Sequence, residues 1–307
     1  MGTGGIGGYF GAKLAAAGED VWFVSRGAHL KAMREHGLKV ISTGGTFTVP
    51  SQKVTGDPAS IGHSDVVLVC VKTYDTEEAT RQISPLLTDD TIVLSLQNGV
   101  DNVEKMQRQL LRGHAHGGVA YISSRITAPG EITESGGFQR IVLGSVSGPL
   151  DSQTRAIHRS FLGSGVKCDI QENINTELWK KFIFIASMGA MTALSRLTHG
   201  EILSNPKTLS LTFDAMREIQ TIAWKLGVDV EPIDESKVLE GLKRFDPNTR
   251  SSMYFDLVSG KPMEIEALNG TVVRFGEQLG IPTPIHRLIY ASLLPHHLKH
   301  MQQRTST

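Results

Sequence analysis

Cysteine is scarce in this 307-residue chain, with Cys70 and Cys168 the only two. Such a pair supports neither a disulfide framework nor a cysteine-based zinc site, and the expected compartment is a reducing cytoplasm. An excess of one charge sign is also missing, since Lys plus Arg and Asp plus Glu both number 31. Zero net charge argues against nucleic acid or an anionic membrane as a partner, yet leaves room for a local basic pocket for a phosphorylated cofactor. No apolar run reaches transmembrane length. The short apolar stretch from Leu14 to Gly18 is glycine-flanked, with no basic segment before it, and is not read as a signal peptide. At this length the chain has residues enough for two domains with ample core.

Glycine, by contrast, is concentrated at the start. Gly2-Thr3-Gly4-Gly5-Ile6-Gly7-Gly8-Tyr9-Phe10-Gly11 contains G-x-G-x-x-G at Gly2, Gly4 and Gly7, then runs into a helix-forming segment that stops at Gly18. In a dinucleotide fold the first glycine permits the tight turn, the second admits the pyrophosphate, and the third lets helix and sheet pack closely. The phosphates then meet the N–H groups and dipole of a helix N-terminus. Asp20 to Ser25 reads as the following strand, and Arg26 stands at its end, where an acidic residue would favour NAD and an arginine suits the 2′-phosphate of NADP. A strand should precede such a motif, and only Met1 does, so the first strand is expected to be missing from the sheet.

Farther on, Val66–Val71 and Thr91–Leu96 read as buried parallel strands with Lys72 and Asn98 at their carboxyl ends, the edge where open α/β sheets bind ligands. Asn98-Gly99 is equally an ordinary turn pair. From Gly117 to Gly144 the pattern predicts an antiparallel extension with turns at Pro129-Gly130 and Gly136-Gly137, followed by a helix over Asp151–Phe161. Beyond about Ile170 the pattern is helical, which sets the expected domains at 1–169 and 170–307. The second opens on a helix beginning near Asn173-Ile174-Asn175, apolar all round and thinned by Ala186, Gly189, Ala190 and Ala193. Spacing alone does not choose between Lys180 and Lys181 as the ammonium that enters a cleft. In the helix Leu209–Leu226, the residues Leu211, Met216, Ile219, Ile222 and Leu226 form one candidate core face. Glu264 and Glu266, two apart, cannot share a helix face. His296 and His300 have metal-ligand spacing without a carboxylate nearby, and read as solvated residues rather than a metal site.

Taken together, the glycine stretch, Val71-Lys72, Gln97-Asn98-Gly99, Glu177-Leu178-Trp179-Lys180-Lys181-Phe182, Ser251-Ser252-Met253, Glu264 and Leu268-Asn269-Gly270 resemble the ketopantoate reductase family nearly end to end. The resemblance implies an α/β fold, an N-terminal NADP-binding Rossmann-type domain followed by an all-helical substrate domain. It implies Lys181 and Glu264 as catalytic residues, Asn98 and Ser252 as substrate-binding residues, and Gly2, Gly4, Gly5, Ile6, Gly7, Arg26, Lys72 and Asn98 as the NADPH-binding set. The implied reaction is NADPH-dependent reduction of 2-dehydropantoate to pantoate, by a cytoplasmic monomer or homodimer that binds a small 2-oxo acid. Members whose substrate is best established carry asparagines one and two turns beyond the lysine, where this chain has Ile185 and Gly189. A further asparagine, before Gly-Glu, is replaced by His199. Losing such groups removes discrimination for the substrate oxygens they met. The alternatives are a reductase of another small 2-oxo acid and a non-catalytic NADP-binding sensor.

Overall fold

β-Branched runs in the first half of the chain become strands, and the chain beyond Asn175 becomes helices. The computed structural model describes residues 1–146 and 150–305. By internal contacts it divides into two units, Met1–Gln97 with Asp101–Ile174, and Asn98–Val100 with Asn175–Thr307.

The first unit holds β1 (Phe23–Val24), β2 (Leu38–Ser42), β3 (Gly45–Val49), β4 (Val54–Thr55), β5 (Val66–Val69), β6 (Ile92–Ser95), β7 (His114–Ala128), β8 (Glu131–Gly144) and β9 (Lys167–Gln171). Seven of them form one sheet in the order β3-β2-β8-β7-β6-β5 with β9 beside β8, while β1 and β4 pair separately and in parallel. Successive residues of β6 go to opposite cores. Ile92 and Leu94 join the cluster of Phe10, Phe161, Ile132 and Ile141, while Val93 joins Val67, Val69 and Met106. A strand covered on both faces must be apolar throughout, which is why Thr91–Leu96 lacks alternation. This mixed α/β unit followed by a helical one is the fold class expected from the sequence.

Met1 to Thr3 carry rungs in two directions. The Met1 amino group donates to Leu68 O at 2.8 Å, Met1 O accepts from Cys70 N at 2.9 Å, and Gly2 N and Thr3 N donate to Val24 O at 3.2 and 3.1 Å. These three residues tie the β1 and β5 backbones together, and Phe23, Val24, Val67 and Val69 all stay buried.

Four local expectations change. The strand expected over Asp20–Ser25 shrinks to Phe23–Val24, because its parallel partner β4 offers only Val54 and Thr55. Gly136-Gly137 is not a chain reversal but an irregularity inside β8. The register jumps from Ile122↔Gln139 to Ser123↔Ser135, and both glycines take positive φ to absorb the extra residues. Lys167–Gln171, with no clear strand pattern, pairs with β8 as β9. In the helix Pro206–Lys225, Met216, Ile219 and Ile222 are buried as expected, but Leu211 and Leu226 are exposed, and Phe213, Ala215 and Ala223 complete the buried face. Leu226 lies at the C-cap, past the last helical turn.

The helical unit has its own core. Trp179, Phe182, Ile183 and Met188 from the helix after Asn175 pack with Phe213, Met216, Ile219, Met263, Ile265 and Val272. Val100 packs against this core, which accounts for the grouping of Asn98–Val100 with the helices. Among the described residues no helix is long and apolar enough to cross a membrane.

Candidate active site

The glycine stretch opens the helix Gly5–Ala16, whose N-cap is Gly4. That cap has no side chain to bond the first-turn N–H groups, and the first turn holds no acidic residue. The helix end therefore offers donors and positive dipole to an anion. The glycines differ in what a Cβ would meet. Gly2 sits at φ 90°, and a Cβ there would stand 2.7 Å from Val71 N. A Cβ on Gly7 would overlap Gly2 O and lie 2.9 Å from Cys70 Cβ, and one on Gly5 would strike Ser124 O. Gly4 has nothing within 4 Å of that position. Packing explains Gly2, Gly5 and Gly7, and open space remains over Gly4, where the motif requires a pyrophosphate to approach. Ile6, half-buried, anchors the turn to the core below.

Arg26 caps the helix Gly27–His36, and its side chain is 75% exposed while pairing with Asp75 at 2.7 Å. Asp75 belongs to the short 3-10 turn Thr73–Asp75, whose N-cap is the half-buried Lys72. Arg26 is thus tied, through Asp75, to the turn after β5 that Lys72 begins. Gln97 steadies the neighbouring strand ends: its Nε2 donates to Val71 O at 2.9 Å and to Thr76 Oγ1 at 2.8 Å. Sequence reasoning attached no role to Gln97, although a polar residue closing an apolar run was the available signal.

In the helical unit, Lys180 is exposed and Lys181 half-buried, which separates the two lysines. Trp179 and Phe182, edge to face at 5.6 Å, fix the side of the helix Asn175–Phe184 that faces the core. Burial pushes the Lys181 ammonium down to about 8, against the opposing pull of Glu264. Glu264 is only 7% exposed, and Asn98 Nδ2 donates to its Oε2 at 3.3 Å. Lys181, Glu264 and Asn98, scattered in the sequence, are thereby brought together. An ammonium near 8 is mostly charged at neutral pH yet gives up its proton far more readily than an ordinary lysine.

Ser252 is exposed at the start of the helix Ser252–Val258. Its neighbour Ser251 caps that helix, accepting from Tyr254 N at 3.1 Å and from Thr192 Oγ1 at 2.7 Å and donating to Gly189 O at 2.7 Å. The sequence pair Ser251-Ser252 did not distinguish cap from ligand-facing serine. Ile185 and Gly189 bound a π-helical segment, Ile185–Gly189, in which Gly189 is buried. His199 begins the helix His199–Ser204, its ring edge-on to Phe184 at 6.3 Å and to Phe245 at 6.1 Å. Burial lowers its pKa, so this ring is neutral, an aromatic neighbour in place of an amide. His296 is exposed, and no cluster of three or more His, Cys, Asp or Glu with metal-holding geometry occurs among the described residues.

Comparisons with known proteins reach both units. Residues 1–148 match the family described as ketopantoate reductase PanE/ApbA, and residues 173–296 match its C-terminal domain. A 2-dehydropantoate 2-reductase of Mesorhizobium japonicum is 31% identical, over 92% of this chain and 92% of that protein. The crystal structure of a PanE/ApbA family ketopantoate reductase from Ralstonia eutropha superimposes with TM-score 0.89 at 30% identity, covering 98% of each chain. A D-mandelate dehydrogenase solved with NADH and anilino(oxo)acetate shares the fold at TM-score 0.87 and 19% identity. The chain belongs to the ketopantoate reductase family and is an oxidoreductase.

Proposed function

We propose that this protein reduces the keto group of a small 2-oxo acid with NADPH, and that 2-dehydropantoate, reduced to pantoate, is its first candidate substrate. The observation that carries the reading is the convergence of half-buried Lys181, buried Glu264 and Asn98, with the ammonium lowered to about 8. The residues that would hold the cofactor fit it: Gly2, Gly4, Gly5, Ile6 and Gly7 form the pyrophosphate turn, and the open space over Gly4 is the cradle a side chain would fill. Arg26 would meet the 2′-phosphate by exchanging its ion pair with Asp75, and Lys72, at the start of the turn that holds Asp75, would join the cofactor set. Asn98 would serve substrate and cofactor alike.

When bound, the reduced nicotinamide supplies a hydride to the keto carbon. Charge then grows on the keto oxygen, and Lys181 stabilises it and delivers the proton. Glu264 keeps that ammonium charged in a buried site and, with its second role as an acceptor, orients a substrate hydroxyl or the lysine itself. Asn98 fixes the Glu264 carboxylate through the 3.3 Å bond. Ser252, exposed at a helix start, is the proposed contact for the substrate's polar end. The two free thiols suit a cytoplasmic enzyme, acting as a monomer or homodimer.

A second reading concerns the acid. Ile185 and Gly189 offer no amide, and the neutral His199 lies among Phe184 and Phe245. This apolar cluster favours a 2-oxo acid with a branched or bulkier apolar side chain over one bearing a hydroxyl. The test is NADPH oxidation with 2-dehydropantoate beside a panel of other 2-oxo acids. The highest kcat/KM with 2-dehydropantoate supports the first reading, and a preference for an apolar acid supports the second. Tight NADPH binding without turnover of any acid would leave a sensor.

A further inference from the structure

The two elements that carry Lys181 and Glu264 are built alike. Lys181 is followed by the π-helical segment Ile185–Gly189, and Glu264 by a second one, Glu266–Gly270. Such widened turns are uncommon, and they displace carbonyls from the regular helical ladder. Ala186 lies five residues beyond Lys181, and Asn269 lies five residues beyond Glu264. Asn269 Nδ2 donates to Ala186 O at 3.0 Å. The electrostatic pair of Lys181 and Glu264 thus has a second rung at the same offset along both segments.

The orientation of Asn269 is fixed by its neighbours. Asn269 Nδ2 also lies 2.9 Å from His286 Nδ1, and His286 Nε2 lies 3.0 Å from Ala215 O. A carbonyl can only accept, so His286 carries its proton on Nε2 and its Nδ1 accepts from the amide. Flipping Asn269 would aim its oxygen at Ala186 O, acceptor against acceptor, so the amide has one workable setting. Asn269, His286, Ala186 and Ala215 are all fully buried. The backbone that carries the ring is held in turn, because Glu218 accepts from Ile285 N at 2.8 Å and His286 N at 3.1 Å. Asn269 Oδ1 has no partner among the described residues. A buried amide that leaves one oxygen unsatisfied costs stability, and an apolar side chain of similar size would avoid that cost.

We infer that Asn269, oriented by His286, is a positioning residue that locks the register of the Lys181 and Glu264 segments. The inference rests on the reading of Lys181 as proton donor. Helix residues advance about 1.5 Å each, so even a partial slip between the segments moves the ammonium by an amount that matters to catalysis. Loss of the rung leaves Lys181 less well enclosed, and its pKa rises toward the ordinary lysine value.

The test compares Asn269→Ala, Asn269→Leu and His286→Gln with the wild type by three readouts. These are kcat and KM for the best 2-oxo acid, the melting temperature, and the pH dependence of Lys181 acylation followed by peptide mass spectrometry. The expected result for Asn269→Ala and Asn269→Leu is a fall in kcat of about 10- to 100-fold, with KM for NADPH unchanged and the Lys181 acylation midpoint moved upward. His286→Gln should shift both in the same direction by less, since Asn269 keeps its bond to Ala186. Folded variants with wild-type kcat and an unmoved Lys181 midpoint would overturn the inference, whatever their melting temperatures. If Asn269→Ala does not fold, Asn269→Leu and His286→Gln decide by the same criteria. If the wild type turns over no 2-oxo acid, the functional reading fails, and the acylation midpoint alone still decides whether Asn269 sets the surroundings of Lys181.

Discussion

Gly4 and Lys181 mark two opposite ways of making a site. In the first unit the proposed work is done by backbone laid bare: a helix end with no capping side chain and a glycine with empty space above it. In the helical unit it is done by side chains drawn partly or wholly out of water, a half-buried lysine and a buried glutamate whose charges are expensive to bury apart. The first kind of site needs only short-range sequence order. The second exists only once distant segments have packed. The difference teaches where each is vulnerable, one to any added atom and the other to any loosening of the surroundings.

The largest effect should come from Lys181→Ala, which is expected to lower kcat by about 10²- to 10⁴-fold while NADPH binding, measured by fluorescence titration, stays as it was. Survival of near-normal turnover would mean that the helical unit contributes only shape. Next, Arg26→Ala should weaken NADPH by about 10- to 100-fold, the range for hydrogen bonds to a charged group, and leave NADH nearly unaffected. Equal losses for both cofactors would remove the 2′-phosphate from the account.

The glycines give a sharper division within the first unit. Gly7→Ala forces a Cβ onto Gly2 O and should cost about 1–3 kcal/mol of stability, the usual penalty of overpacking. Gly4 has extended backbone, φ −88° and ψ −160°, that alanine adopts without strain. Gly4→Ala, at an N-cap, should therefore cost no more than about 1 kcal/mol of stability yet raise the NADPH Kd by about tenfold or more, a loss of about 1.4 kcal/mol. Denaturation and cofactor titration of the two variants, side by side, would separate packing from access.

Two pH effects come last. Glu264 holds the Lys181 pKa up against burial. Because the lysine must be protonated to act, kcat/KM should fall as pH rises through about 8, and Glu264→Gln should move that limb to lower pH. A limb that stays in place would assign it to another group. Stability has its own dependence. His286 is buried, with its pKa lowered to about 4 from the usual 6.5. The unfolded chain takes up that proton first, so the stability contributed by the neutral ring is full above 6.5 and is lost as pH falls toward 4. The melting temperature of the helical unit should decline across that window, and less so in His286→Gln.

Legibility in the sequence followed the same division. Gly2, Gly4 and Gly7 spell out a local turn, and the continuous apolar runs Val66–Val71 and Thr91–Leu96 announced strands covered on both faces. Lys72 and Asn98 were placed at strand ends by the same reading. The two glutamates Glu264 and Glu266 could only be said to diverge. Packing decided that Glu264 is buried by the lysine while Glu266 pairs with Arg274 at 3.2 Å. Lys180 and Lys181 were equivalent by spacing, and only the core-facing side of Trp179 and Phe182 separates them. Asn269 was visible as part of a motif, but the bond to Ala186 spans 83 positions and depends on two π-helical turns that no period of 3.6 foretells. Leu226 is exposed because it lies past the last helical turn, and Leu211 because it points to one side of the stripe formed by Thr212, Met216, Ile219 and Ala223.

Beneath the glycine turn lies a thiol. A Cβ on Gly7 would stand 3.4 Å from Cys70 Sγ, so that sulfur forms part of the floor on which the turn rests. Burial pushes the Cys70 thiol up to about 11 and the Cys168 thiol up to about 12. Alkylating reagents attack the thiolate, of which such groups hold about one part in ten thousand or less at neutral pH. Cys70, only partly covered, should therefore react with a maleimide far more slowly than an ordinary thiol, and a nucleotide lying across the turn should slow it further.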